Sequence, residues 1–363
     1  MKKKKKQLPG VKTNQERTED ARNGFPLITT EDGRRIFGDG GQLDRLLPKQ
    51  TYHSVWDSPE AFARYIASLP PRGGWTNAGW DEGEERWYGT NTMKEALELA
   101  EKGWKEGADR IEKLRAHIQA AHPLHPKLIS YGLVGATPNV PRAVAGNLFN
   151  MRQPDPARSK KKPVITLVAN MSANCGINPE KISNRAAVLA AVIDEVENAG
   201  YSCEVLATAM SKGNRGFMGM GEGDTSFKAA TSIVVKPSHQ PVDLMKLAFS
   251  LGHAALFRRL IFADWAAEPS CKSGLGHGLG NAGCGFEEEA NELLEKGIYL
   301  LPSAETNSKY FKDEKTSMEV GLPYLIQFLK DKGCPPFKNA PEWKDPNQKE
   351  TPDEPEYDED DDD

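Results

Sequence analysis

Apolar residues in the first half of the chain recur with the spacing of amphipathic helices. The longest such pattern covers residues 92–121, where apolar positions lie three and four residues apart. Thr92 and Glu95 have the spacing of a capping box at its start, and Gly103 is expected to bend or divide the helix. A shorter helix is predicted to begin after Ser58, with a proline at its first position. The first half is therefore predicted to be mainly helical.

From residue 164 onwards, short apolar runs alternate with helical patterns. A helix is predicted between the first two runs, with Ser183 as its N-cap and Gly200 at its end. Strands that alternate with helices are typical of a parallel sheet. The sequence thus predicts an α/β fold with a mostly parallel, doubly wound sheet and a helical N-terminal region. The predicted strands cover residues 164–169, 201–210, 231–237 and 298–303.

Composition divides the chain into five regions. Stretches rich in one charge and poor in apolar residues do not bury a core, so both ends are predicted to be disordered. The regions are a basic N-terminal segment (1–50), a helical N-terminal region (51–151), a basic linker (152–163), an α/β domain (164–333) and an acidic tail (334–363).

The net charge of −5 conceals opposite charges at the two ends of the chain. Lysines occupy positions 2–6, whereas residues 350–363 contain ten acidic residues and no basic one. Such tails either keep a protein soluble or act as interaction segments, and an acidic tail competes with nucleic acid for a basic surface. Neither an apolar run of membrane-spanning length nor a signal peptide is evident, which predicts a cytoplasmic protein. Five scattered cysteines indicate reduced thiols.

A polar loop with the pattern N-x-S-x-N follows the first strand of the α/β domain. Its candidate ligand or partner residues are Asn170, Ser172 and Asn174. Ligands bind beyond the carboxyl ends of strands in open parallel sheets, which favours this position. Without a carboxylate a hard divalent cation is weakly held, so a partner surface or a phosphate is the expected ligand. The alternative is that these side chains only hydrogen-bond the turn.

Basic residues accompanied by an aromatic side chain form a second candidate site, for single-stranded nucleic acid. Lysine and arginine bind phosphates while an aromatic ring stacks on a base. The alternative is that these are ordinary solvated side chains. The candidate contacts are Arg152, Arg158, Lys160, Lys161, Lys162, Lys212, Arg215 and Phe217.

No nucleotide-binding, zinc-protease or serine-hydrolase motif is present in the sequence. We therefore predict no catalytic residues, no metal ligands and no cofactor. An enzyme of unrecognised class remains the second alternative to a binding protein.

Several blocks of sequence resemble an uncharacterised family common in tailed bacteriophages and prophages. They are "TMKEALELAEKGWKEGADRI", "YGLVGATPNVPRAVAGNLFNM", "VITLVANMSANCGI", "NRAAVLAAVIDEVENAGYSCEVLA" and "PVDLMKLAFSLGHAALFRRLIF", in that order, within residues 55–330. The part from 164 to 300 also resembles von Willebrand factor A domains, whose metal loop reads D-x-S-x-S. In this chain Asn170 and Asn174 replace the aspartate and the second serine of that loop, a degenerate form.

The resemblance implies a protein-interaction module, because von Willebrand A-like domains commonly bind proteins, sometimes beside an AAA+ ATPase. We therefore predict a non-enzymatic phage protein that acts in the host cytoplasm. Its expected partner is a protein such as an AAA+ ATPase or the phage polymerase machinery. We do not expect it to bind a membrane. The alternative is a single-stranded nucleic-acid-binding protein of phage replication or transcription, with the acidic tail as its regulator.

Overall fold

The fold is built on a seven-stranded sheet. In the computed structural model the described residues are 27–29, 35–38, 52–70, 85–121, 130–134, 137–138, 140–153, 163–173, 176–213, 227–267, 294–306 and 308–346. The strands are β1 (Leu27–Thr29), β2 (Arg35–Gly38), β3 (Tyr52–Trp56), β4 (Ser130–Gly132), β5 (Thr137–Pro138), β6 (Met151–Gln153), β7 (Val164–Asn170), β8 (Ser202–Gly213), β9 (Phe227–Lys236) and β10 (Ile298–Leu301).

The main sheet has the strand order β1-β2-β3-β9-β8-β7-β10. Four of its six pairings are parallel, namely β2–β3, β3–β9, β7–β8 and β7–β10. The remaining pairings, β1–β2 and β8–β9, are antiparallel. From β7 the chain adds strands in both directions, to β8 on one side and later to β10 on the other. The prediction of an α/β fold with a mostly parallel sheet is confirmed.

Helices separate several of the consecutive strands, and some of them pack against the sheet. The α-helices are α1 (Pro59–Ser68), α2 (Glu85–Tyr88), α3 (Met93–Lys102), α4 (Lys105–Ala121), α5 (Val140–Val144), α6 (Pro179–Asn198), α7 (Leu244–Gly252), α8 (Phe262–Ala267), α9 (Glu314–Thr316) and α10 (Leu322–Asp331). Two π-helical stretches (Leu256–Ile261, Ser317–Gly321) and two 3-10 turns (Ser308–Phe311, Pro335–Phe337) complete the described helical segments.

Side-chain caps set where the helices begin. Ser58 accepts a hydrogen bond from the N–H of Ala61, and Thr92 accepts one from the N–H of Glu95, so both predicted caps are confirmed. The predicted cap at Ser183 is wrong. Asn178 caps α6 instead, with Pro179 at the first position, and Ser183 is buried inside the helix. A proline at the first helical position explains the earlier start, because its missing N–H has no intrahelical partner there.

Gly103 separates α3 from α4, as the sequence predicts. Its backbone has φ = +81°, and a Cβ at this position would lie 2.5 Å from the Cβ of Met245. The N–H of Trp104 donates to the carbonyl oxygen of Met245 (3.0 Å). Only glycine fits a turn that passes so close to α7.

The main core lies on one face of the sheet. Alternate residues of β7 and β8, such as Leu167 and Ala207, point into it, and α1, α3, α4, α6, α7, α8 and α10 contribute the facing side chains. The opposite face carries a smaller apolar cluster that includes Val168 and Met210. Both clusters follow from the period of two along a strand, and the near-continuous apolar runs reflect burial on both faces.

The N-terminal third contributes more strand than the sequence predicts. Strand β3 falls within the region expected to be helical (51–151), yet it pairs in parallel with β9 in the interior of the sheet. Strands β1 and β2 lie within the segment 1–50, which was expected to be disordered. The sheet therefore extends beyond the predicted domain 164–333. Strand β3 gives a weak signal because it is short and two of its five buried residues, His53 and Ser54, are polar.

The described residues within 130–153 form a small separate sheet of three strands. Its strand order is β4-β6-β5, with antiparallel pairings, and α5 lies between β5 and β6. Strand β6 continues into the start of the predicted basic linker. We call residues 130–153 the apolar segment, for the exposed side chains described below.

Candidate functional site

The polar loop after β7 is held by hydrogen bonds within the protein. The side-chain oxygen of Asn170 accepts from the N–H of Ser172 (3.0 Å). The hydroxyl of Ser172 donates to the carbonyl oxygen of Met210 (3.0 Å) and accepts from the N–H of Met210 (2.9 Å). Asn170 and Ser172 are both buried. These contacts fit the alternative in which the loop residues stabilise the turn.

Ser172 takes the place of the next residue in the β-ladder. Strands β7 and β8 pair as far as Asn170 and Thr208, and the N–H of Met171 then donates to the carbonyl oxygen of Thr208 (2.6 Å). Two residues further along β8, one hydroxyl satisfies both peptide groups of Met210. The structure thus uses the described polar residues of this loop internally, and Asn174 lies outside the described residues.

The candidate nucleic-acid residues are only partly described. The backbone of Arg152 lies in β6, opposite Tyr131 and Thr137. The backbone of Lys212 lies in β8, directly opposite Lys228 of β9. The structure places these two backbones in different sheets. The other candidates, Arg158, Lys160, Lys161, Lys162, Arg215 and Phe217, lie outside the described residues.

Two neighbouring arginines on the first π-helical stretch are fully buried. Arg258 donates to the carbonyl oxygens of Trp87 (2.7 Å) and Ile177 (2.6 Å), and its guanidinium lies over the ring of Trp87. Arg259 donates to the carbonyl oxygen of Thr90 (2.7 Å). These charge-assisted hydrogen bonds attach α2, the segment after it and the loop before α6 to the core.

A buried carboxylate links β3, β9 and α8. Asp264 accepts from the hydroxyls of Tyr52 (2.9 Å) and Thr231 (2.7 Å), and the indole N–H of Trp265 donates to Thr231 (2.9 Å). No sequence pattern predicts that these residues form a group. Tyr52 and Asp264 stand 212 positions apart, and no local spacing connects them.

The described titratable groups with large pKa shifts are shifted mainly by burial. Burial lowers the pKa of His253 to about 4, and Nδ1 of this ring accepts a hydrogen bond from the N–H of Ala255. Burial also raises the pKa of the Cys203 thiol, and it raises that of Cys334 to about 12. Thiols with raised pKa values are poor nucleophiles. The described residues contain no group of three or more potential metal ligands.

The strongest surface feature is the apolar segment. Of eight exposed large apolar side chains in the described chain, six belong to it. Their exposure ranges from 54% to 83%. Soluble proteins bury most such side chains, and a group of exposed ones marks an interaction surface. The six are Leu133, Val134, Val140, Val144, Leu148 and Phe149.

Hydrogen bonds within the apolar segment fix the backbone that carries these side chains. At the end of α5, Gly146 has φ = +73° and its N–H donates to the carbonyl oxygen of Ala143. The N–H of Asn147 donates to the carbonyl oxygen of Arg142. This pair of bonds is a Schellman motif. The side chain of Asn147 then accepts from the N–H of Phe149 (3.0 Å). Local polar groups therefore order an apolar surface.

Among the described helices, none has the length and apolar character needed to cross a membrane. No curated protein and no solved structure matches this chain. A family model described as a domain of unknown function does match, over residues 41–335. Because this match covers most of the chain, the protein belongs to the DUF7192 family.

Proposed function

We propose that this chain is a non-enzymatic protein-interaction module and that it acts through the apolar segment. The single observation that carries the proposal is the concentration of exposed apolar side chains in residues 133–149. An exposed patch of this kind is costly in water and is stabilised when a partner covers it. Its ordered backbone also reduces the entropy that binding would remove.

The type of side chain favours a protein partner over nucleic acid at this surface. Five of the six exposed residues are leucine or valine, and Phe149 is the one aromatic residue among them. Aliphatic side chains bury well against other apolar side chains, whereas binding of single strands depends on aromatic stacking.

The arrangement around β7 supports the likeness to von Willebrand A domains that the sequence suggests. A strand, a polar loop, a helix and a second strand follow one another as β7, residues 171–178, α6 and β8. The internal hydrogen bonds of Asn170 and Ser172 support binding that does not depend on a metal at this loop. A phage origin, action in the host cytoplasm and an AAA+ ATPase or polymerase partner remain predictions from sequence.

Site-specific photo-crosslinking tests the proposal. A photoreactive amino acid replaces Val144 in the full chain, and Lys113, exposed on α4, serves as the control position. We expect a defined protein adduct from position 144 and none from position 113. The adduct should disappear when Leu148→Ser is added, and the purified partner should bind that variant more weakly. Equal adducts from both positions would contradict the proposal.

Nucleic-acid binding is the second candidate function, at a different place. The backbones of Lys212 and Lys228 lie opposite each other near the end of the β8–β9 pair, and the sequence proposes Lys212 as a phosphate contact. The test is binding of single- and double-stranded DNA at two salt concentrations, with and without residues 350–363. Stronger binding after removal of the tail, with a steep salt dependence, supports this candidate, and no binding in any condition refutes it.

A further inference from the structure

The partner of the apolar segment can be specified further. On the basis of the proposed function, we infer that the apolar segment of one chain packs against the apolar segment of a second copy.

The distribution of apolar side chains favours pairing of like segments. Outside the apolar segment, the large apolar residues exposed in the described chain are Val164 and Met245, which lie on different elements. The described body of a second copy therefore offers no comparable apolar patch. The apolar segment itself does, and a two-fold axis brings two identical patches together.

The area is sufficient for a specific but weak dimer. Each exposed side chain presents on the order of 100 Å², so two segments whose six side chains all face each other would bury at most about 1,200 Å² in total, the lower end of specific interfaces. An interface of this size with few aromatic anchors is expected to be weak and reversible.

The charges of the chain complement one another across such a dimer. Residues 130–162 contain six basic residues and one acid, a formal charge of +5, whereas residues 350–363 contain ten acids and no base. Two basic segments would repel each other at close range. Residues 350–363 carry the opposite charge, so we expect them to reduce this repulsion.

Analytical ultracentrifugation of the full chain over a wide concentration range tests the inference. We expect a monomer–dimer equilibrium. The double variant Val144→Ser/Leu148→Ser should weaken it by about tenfold or more, because both side chains leave the buried surface. Val164→Ser is the matched control, since it removes an exposed valine outside the segment and should leave the equilibrium unchanged. Circular dichroism confirms that each variant is folded.

Removal of residues 350–363 tests the role of charge. We expect the truncated chain to dimerise more weakly than the full chain at low salt. The difference between the truncated and the full chain should be smaller at high salt, where charges are screened. A dimer unaffected by the double variant, or strengthened by loss of the tail, overturns the inference.

A chain that stays monomeric at every concentration also overturns it. In that case, a crosslink from position 144 to a different protein would still support the proposed function. If that position crosslinks only to anionic lipid vesicles, both proposals fail.

Discussion

His253 makes the stability of the protein depend on pH. Burial lowers its pKa from 6.5 to about 4, because the charged imidazolium is disfavoured among apolar neighbours. The unfolded chain therefore binds a proton more readily between these two values. We expect the free energy of unfolding to fall by about 3 kcal/mol as the pH decreases from 6.5 to 4. Urea unfolding at a series of pH values measures this loss.

Replacement of the ring tests the assignment. His253→Asn retains a side-chain acceptor for the N–H of Ala255 but does not titrate, so the fall in stability below pH 6.5 should become smaller. His239 is exposed, and His239→Asn should leave the profile unchanged. An identical acid profile in the His253 variant would show that other groups cause the loss.

At the scale of single elements, the N-cap of α6 contributes to stability. Asn178 accepts from the N–H of Glu180, whereas the buried hydroxyl of Ser183 has no hydrogen-bond partner among the described residues. Asn178→Ala should lower the free energy of unfolding by about 1 kcal/mol, as loss of an N-cap does. Ser183→Ala should be neutral or slightly stabilising, because it removes an unsatisfied buried group. Denaturant unfolding of both variants decides between the two caps.

Two glycines with positive φ differ in the space that is available for a new Cβ. Gly146→Ala, at φ = +73° with open space around the new Cβ, should cost about 1–2 kcal/mol. Gly103 has φ = +81° and ψ = 172°, a region that is essentially restricted to glycine, and a new Cβ would lie 2.5 Å from the Cβ of Met245, so Gly103→Ala should cost about 1–3 kcal/mol more than Gly146→Ala. Thermal and urea unfolding compare the two variants. Equal losses would mean that α7 moves away without cost.

Sequence patterns located most of the elements but not all of their partners. The strands β7 and β10 are evident in the sequence because they are almost continuously apolar, and β8 and β9 each contain a shorter apolar run. The caps at Ser58 and Thr92 are local signals, which the sequence carries directly. By contrast, β3 depends on a pairing with β9 about 180 residues away, and no local period encodes that register. For the same reason the partners of Asp264 and Ser172 were not predictable.

At the scale of the whole molecule, the sheet joins the N-terminal region and the α/β region. Strand β3 pairs with β9, and α4 packs against α6 and α7. A fragment of residues 164–333, the predicted α/β domain, would lose these contacts and expose buried apolar surface. We expect it to show no cooperative unfolding transition, whereas the full chain should unfold cooperatively. Calorimetry of both chains measures this, and a cooperative fragment would restore the predicted domain boundary.

The hydroxyl of Ser172 has a consequence for the timing of amide hydrogen exchange along β8. It accepts from the N–H of Met210, two residues beyond Thr208, where the pairing of β8 with β7 ends. In Ser172→Ala, the Met210 amide should exchange much faster, because the free energy of local opening at this amide falls by about 1–3 kcal/mol. The amides of residues 202–208 should retain their protection. Exchange measured for each amide would then locate the position in β8 where a side-chain hydroxyl replaces the backbone of β7 as the hydrogen-bond partner.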